Sequence, residues 1–283
     1  MAFAFHRWCG LGAINAVLML LVAGSLLWPG LALAGDFSMI LESNVDQNAG
    51  QEIFEVGFQT VDDILANIQM RAGFTQVNCS ATYSIRGHAY GGGRHHFLYE
   101  SDSDMGGGAE LFIASFPSVA DIYANRWPDG DYTAGNVNSN WSVGGFAYDG
   151  SQYHILLEHN DDAPGGGEVY IMSYDSLADV YSNTQASASY SQMDITSTFS
   201  IAGFTFDGGH YYLVYETDDD AGAGDEVWVS TFDSFAEVLS GSFGVLQASQ
   251  MNISSSFSIA GFAGRVPIFE DGFDWGWAGD WSQ

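Results

Sequence analysis

Cysteine is almost missing: the 283 residues contain two. Cys9 lies in the first apolar stretch, so Cys79 is expected to be the lone thiol of the mature chain, and an internal disulfide is excluded. Positive charge is scarce as well, with six Lys and Arg against 35 Asp and Glu and a formal charge of -29. Such a surface repels phosphate backbones and anionic membranes, which excludes nucleic acid as a natural partner. Beyond the first stretch there is no apolar run of bilayer-spanning length. The chain also lacks a Gly-x-x-x-x-Gly-Lys loop, a Gly-x-Ser-x-Gly elbow and a paired-Cys metal signature.

What is present begins with His6 and Arg7, an apolar run from Leu11 to Trp28, and Ala32-Leu33-Ala34. This is the pattern of a secretory signal peptide over residues 1–34, cleaved after Ala34. An uncleaved anchor is the alternative, against which stand Pro29-Gly30 and the small-residue cleavage site. The remainder, about 250 residues, is expected to be secreted or held at the cell surface and is large enough for one core.

Self-similarity organises that remainder. Tyr83-Ser84-Ile85, Trp141-Ser142-Val143, Phe199-Ser200-Ile201 and Phe257-Ser258-Ile259 follow one another at 58-residue intervals. Gly87, Gly145, Gly203 and Gly261 keep the same offset, as do Glu42, Glu100, Glu158 and Glu216. In the third copy Phe199 to Phe206, His210 to Tyr215 and Glu226 to Phe232 read as strands, with Asp207-Gly208 as a hairpin turn. Both alternating sets of side chains are largely apolar, so the sheet is expected to be covered on both faces. Ser234 with Glu237, Ser176 with Asp179, Ser118 with Asp121 and Thr60 with Asp63 then open short helices in capping-box form. Ser249 to Ser254 is expected to form a short fourth strand. Cys79 shares its register with Val137, Ile195 and Ile253, and is read as a buried small apolar group.

A unit with two apolar faces cannot bury itself, so neighbouring units must cover it. The mature chain begins at a second strand, Phe37, and the last unit stops after a first strand near Arg265. Joining these halves would close a ring and remove the exposed edges. The expected fold is therefore all-β, a four-bladed β-propeller with blades at 83–140, 141–198 and 199–256 and a closing blade made of 257–265 plus 36–82. In blade number, in three strands followed by a short helix, and in its split closing blade, the chain resembles hemopexin-like propellers. That resemblance is architectural: the first strand here reads Ser-Ile-Ala-Gly-Phe and no cysteine pair ties the ends, so no haem or matrix binding is implied. The tail, 266–283, carries Asp271-Gly272-Phe273 and Trp281-Ser282 and resembles endings of exported bacterial proteins of unassigned role; an aromatic tail packed on the propeller is the alternative.

The chemically loaded segments join the second and third strands in the frame Glu-x-[Asn/Asp]-x-Asp-x5-Glu. They comprise Glu42, Asn44, Asp46 and Glu52; Glu100, Asp102, Asp104 and Glu110; Glu158, Asn160, Asp162 and Glu168; and Glu216, Asp218, Asp220 and Glu226. On extended backbone, residues two apart share a face, so like charges would crowd there. Two such charges about 5 Å apart repel by roughly 3 kcal/mol at an effective dielectric near 20. A hard cation relieves this, and oxygen donors on a Gly-bearing loop suit calcium. The alternative is a solvated turn that serves solubility, and the loops do not match the EF-hand pattern.

His96 and His154 are one period apart, but Tyr212 follows, so a repeated histidine metal site is not expected; surface or strand-packing roles are. The four acidic loops should ring one mouth of the propeller. The evenness of the repeats points to a binding or structural module, expected as a monomer, that contacts a glycan, a surface polymer or a protein. The alternative is a polysaccharide hydrolase or lyase using loop carboxylates as acid and base, which needs a carboxylate pair about 5 to 9 Å apart.

Overall fold

The computed structural model describes residues 37–45, 52–80, 82–102, 110–161, 167–217 and 226–264. The expected signal peptide and the tail lie outside these residues. The chain forms four four-stranded antiparallel sheets arranged as a four-bladed propeller. The closing blade holds β1 (Phe37–Ser43), β2 (Ile53–Phe58), helix α1 (Val61–Leu65) and β3 (Arg71–Phe74). The second blade holds β4 (Tyr83–Gly91), β5 (Arg94–Ser101), β6 (Leu111–Phe116), α2 (Val119–Tyr123) and β7 (Asp129–Tyr132). The third holds β8 (Trp141–Tyr148), β9 (Tyr153–His159), β10 (Val169–Tyr174), α3 (Leu177–Ser182) and β11 (Ser187–Tyr190). The fourth holds β12 (Phe199–Asp207), β13 (His210–Thr217), β14 (Val227–Phe232), α4 (Phe235–Ser240) and β15 (Val245–Ala248), after which β16 (Phe257–Gly264) returns to the closing blade.

Closure happens by strand pairing. β16 lies antiparallel to β1, with Phe37 opposite Gly264 and Ser43 opposite Phe257. A second tie comes from the fourth blade, where Ser249 Oγ donates to the Ile64 carbonyl (2.6 Å) and Gln250 N–H to the Leu65 carbonyl (2.7 Å). Ser249 to Ser254 is therefore not a strand. Ser249 N–H still bonds to Val227 of β14, but Gln250 N–H already goes to the neighbouring blade, and the fourth strand forms earlier, at β15, once Gly241 in the left-handed region has ended α4.

The helices are short and locally encoded. Thr60 accepts from Asp63 N–H while the Asp63 carboxylate takes the Thr60 N–H, and Ser118, Ser176 and Ser234 cap in the same way with their own hydroxyls. Each helix buries one side chain, Ile64, Ile122, Val180 or Val238. Apolar clusters lie between blades and draw from two neighbours at once, as when Ile113 and Leu98 of the second blade pack with Phe146 and Ile155 of the third. Phe58, Phe116, Tyr174 and Phe232 hold one register position and are fully buried. Burial of each contributes roughly 2 to 3 kcal/mol.

At the axis the inner strands β4, β8, β12 and β16 meet. A β-bulge interrupts each one, at Arg86, Gly144, Ala202 and Ala260. The glycine after the bulge packs against the next blade: a Cβ on Gly145 would lie 2.5 Å from Phe204 Cβ, and one on Gly203 the same distance from Phe262 Cβ. Gly87 meets Phe146 and Gly261 meets His88 in the same manner. Neighbouring inner strands thus approach too closely to admit one added methyl group at these positions.

His88 stands where the other blades have phenylalanine, and it marks a seam with its own chemistry. It is fully buried, its Nε2 lies 3.0 Å from His95 Nδ1, and its ring meets Phe97 edge-on. Nearby, the buried Glu55 carboxylate receives Arg71 Nη2 (2.7 Å) and Nε (3.1 Å), Tyr123 OH (2.9 Å) and Ser38 Oγ (2.8 Å). The equivalent positions in the other blades are Ile113, Ile171 and Val229. This paired charge was not foreseen from the repeat. Such an ion pair is stable only with its donors in place.

Two outcomes follow from this packing. Gly145→Ala should lower stability by about 1 to 3 kcal/mol through overcrowding against Phe204, read as a lower melting temperature in calorimetry. Burial, then His95, His96 and Arg71, hold His88 well below its usual range. The unfolded chain takes up a proton below about pH 6.5 that folded His88 refuses, so stability falls as pH drops through that value. His88→Phe should lose less melting temperature than the wild type between pH 7.5 and 5.

Candidate functional site

The frame residues of the acidic loops prove to be seam fasteners. The first glutamate of each loop reaches the inner strand of the following blade: Ile85 N–H donates to Glu42 Oε2 (2.9 Å), Val143 N–H to Glu100 (3.2 Å), Ile201 N–H to Glu158 (2.8 Å) and Ile259 N–H to Glu216 (2.8 Å). The last glutamate holds the link that leads out of its own blade. Cys79 N–H donates to Glu52 Oε2 (2.8 Å), Val137 N–H to Glu110 (2.5 Å), Ile195 N–H to Glu168 (2.7 Å) and Ile253 N–H to Glu226 (2.6 Å). A carboxylate that accepts backbone N–H bonds makes charge-assisted hydrogen bonds, stronger than neutral ones.

The third frame position serves the inner strand of its own blade. Ser258 Oγ donates to Asn44 Oδ1 (3.0 Å), Ser142 Oγ to Asn160 Oδ1 (2.8 Å) and Ser84 Oγ to Asp102 Oδ1 (3.3 Å). Asp46, Asp104, Asp162, Asp218 and Asp220 lie outside the described residues. The first and third frame residues stay within electrostatic reach, Asp102 adding to the burial that raises Glu100, but they bond to different groups. Glu42 ends inside β1, whereas the chain bends at Asn44, and each side chain turns to a different partner.

Loops of neighbouring blades also come together. A cavity of about 380 Å³ between the closing and second blades is lined by Glu42, Asn44, Glu52, Tyr83, Arg86 and Asp102, among others. A second, of about 300 Å³ between the second and third blades, is lined by Arg86, Glu100, Asp102, Glu110, Trp141 and Asn160, among others. Arg86 belongs to both. Its bulge position is taken by Gly144, Ala202 and Ala260 elsewhere, so among the four bulge positions this one alone carries a long cationic side chain. Its guanidinium lies 3.7 Å from Glu100. The signal for it in the sequence was a charged residue breaking a register of small ones.

Burial raises Glu42 to about 7, against the lowering effects of the Cys79 thiol, the Ile85 amide and Arg86. Burial raises Glu100 also. Cys79 is a free buried cysteine whose thiol is pushed far up by burial and by Glu42, so it remains an unreactive thiol, as its apolar register suggests.

The histidines are buried on the other side of the sheets' mid-line. His96 Nδ1 lies 2.8 Å from Ser115 Oγ and Nε2 3.0 Å from the Gly91 carbonyl, and burial lowers its pKa to about 4. His154 sits between Ser173 Oγ (2.9 Å) and Asp149 Oδ2 (3.0 Å), in the order of a hydrolase triad. Ser173 and His154 are both buried, however, and Tyr211 OH occupies the same Asp149 oxygen at 2.8 Å. Burial alone would raise Asp149, but hydrogen bonds from His154, Gln152, Ser151 and Tyr211 hold it well below the usual range. The trio is a strand-packing network without an entrance for substrate. Among the described residues, no three His, Cys, Asp or Glu side chains are gathered as metal ligands.

No family model matches the chain, and neither does any curated protein. Among solved structures it is similar to the native arabinanase of Bacillus subtilis, at 13% identity and a TM-score of 0.41, over 77% of this chain and 78% of that one. It is also similar to an exo-β-1,3-galactanase from Phanerochaete chrysosporium with β-1,3-galactotriose, at 14% identity and a TM-score of 0.36, over 80% of this chain and 51% of that one. Both are likenesses of fold.

Glu42 gives a pH prediction. Its folded pKa lies above the unfolded value, so its favourable contribution is complete below about pH 4.5 and is lost as pH rises through 7. Glu42→Gln keeps an acceptor for Ile85 N–H and removes the ionisation. Its melting temperature should therefore gain on the wild type between pH 5 and 8, by at most about 3 kcal/mol in stability.

Proposed function

We propose that the chain is an exported propeller that binds a neutral glycan at the mouth bearing the acidic loops, with cations of the calcium class steadying that mouth. One observation carries the reading: the two clefts that share Arg86. Arg86 offers only donors, Glu42, Glu100 and Asp102 offer acceptors, and Asn44 and Asn160 offer both. A sugar hydroxyl donates and accepts at once, so a polyol satisfies such a lining. A polyanion meets the carboxylates, and a polycation meets Arg86. Tyr83 and Trp141 add an aromatic wall to each cleft, suited to the apolar face of a sugar ring. Export rests on the expected signal peptide. No helix among the described residues is long and apolar enough to cross a membrane.

A second reading has its own support, since a buried carboxyl with a pKa of about 7 in a cleft is what a general acid needs. In that case Glu42 would protonate the leaving oxygen of a glycosidic bond.

Native electrophoresis through gels containing xylan, arabinan or galactan separates the possibilities. The wild type should be retarded by at least one of these neutral polymers, and Arg86→Ala should migrate as in a plain gel with an unchanged melting temperature. Absence of retardation by any of them, or equal retardation of Arg86→Ala, would remove the proposed site. Release of reducing ends by the wild type and not by Glu42→Gln would establish the second reading.

A further inference from the structure

Two sister loops complete their last glutamate in the same way. With the carboxamide nitrogen turned to the carboxylate, the orientation that satisfies both groups, Asn136 in the second blade donates to Glu110 Oε2 (2.8 Å) and Oε1 (3.1 Å), and Asn252 in the fourth to Glu226 Oε2 (2.6 Å) and Oε1 (2.7 Å). Asn78 holds that register position in the closing blade. In the third blade the position is Asp194, which has no N–H to give.

The backbone half of the arrangement survives there, with Ile195 N–H on Glu168 Oε2. The other oxygen, Oε1 of Glu168, is buried and has no hydrogen-bond partner, and the residue is only 2% exposed. A buried acceptor on a charged group left without a donor is strongly disfavoured. No ion pair among the described residues reaches Glu168, and the chain contains no lysine. Where its sisters set a carboxylate against an amide, this loop sets two acids in register. Asp194 is exposed, so the position is open to solvent.

We propose that Glu168 and Asp194 hold one hard divalent cation, of the calcium class, in the seam between the third and fourth blades. The cation does for this loop what the asparagine amide does for the others: it supplies positive charge to both glutamate oxygens. Carboxylate ligands suit such an ion, with backbone carbonyls and water completing the shell. The inference rests on the proposed cations at the acidic mouth and narrows them to a single place.

Calorimetric titration of the chelator-stripped protein with calcium chloride, paired with melting scans in calcium and in chelator, tests it. The wild type should take up about one ion and melt several degrees higher with calcium, since a ligand of the folded state stabilises it by mass action. Asp194→Asn should bind none and should melt alike in calcium and in chelator, because it restores the sister pairing. Asn252→Asp should create a second site. If the wild type neither binds calcium nor responds in melting, both the cation reading of the mouth and this inference fall. If Asp194→Asn binds calcium as the wild type does, the cation lies elsewhere on the mouth and only this inference falls. A wild type whose stability at this seam responds to pH and not to calcium would point to a shared proton and would also overturn it.

Discussion

Four inner strands converge on an axis with no room for side chains at the contact points, and the rest of the molecule follows from that approach. Each glycine after a bulge touches the aromatic residue of the next blade, or His88 in one case, closely enough that a methyl group would collide. The blades can therefore meet all round, and the apolar wedges between them become the core. Openings remain between neighbouring blades at the mouth. The bulge residue before the glycine lines an opening at Arg86 and at Ala260. Only in the second blade is that side chain long and charged, which is why both clefts centre on Arg86.

The acidity of the mouth is architectural before it is functional. Wedges between blades are crossed by links whose backbone N–H groups have no strand to pair with, and a buried N–H must find an acceptor. The two glutamates of each loop supply one: the first grips the next blade, and the last grips the link. Carboxylates do this better than amides because the hydrogen bonds are charge-assisted. The consequence is a mouth whose negative charge is tied into the fold and partly desolvated, which lifts Glu42 toward neutrality.

Departures from the repeat are where individual chemistry sits. Arg86 among Gly144, Ala202 and Ala260, His88 among three phenylalanines, Glu55 among Ile113, Ile171 and Val229, and Asp194 among asparagines each stand in one blade alone. All four were visible as register breaks in the sequence. Their meaning was not, because the partners that explain them lie far along the chain or on the adjoining strand, as with Tyr123 of the next blade on Glu55 or His95 of the paired strand on His88. The fourth strand was misplaced for a related reason. Ser249 to Ser254 looks extended and polar, yet after Ser249 N–H, which still reaches Val227 of β14, its bonds go to Leu65 and Glu226 and not to a sheet neighbour.

Local rules are sufficient for the hairpin turns, the capped one-turn helices, the two-sided apolar strands and the closing of a ring by split ends. Each depends on residues close in sequence, or on a period that can be counted along the chain. Which carboxylate faces which amide, which cleft receives the lone arginine and which glutamate oxygen lacks a donor were decided only by the tertiary structure. Those pairings join residues 27 positions apart, from a blade to its own outgoing link, or 43 apart, across a blade seam. Their geometry is set by how closely the blades approach at the axis, and no stretch of sequence carries that distance by itself.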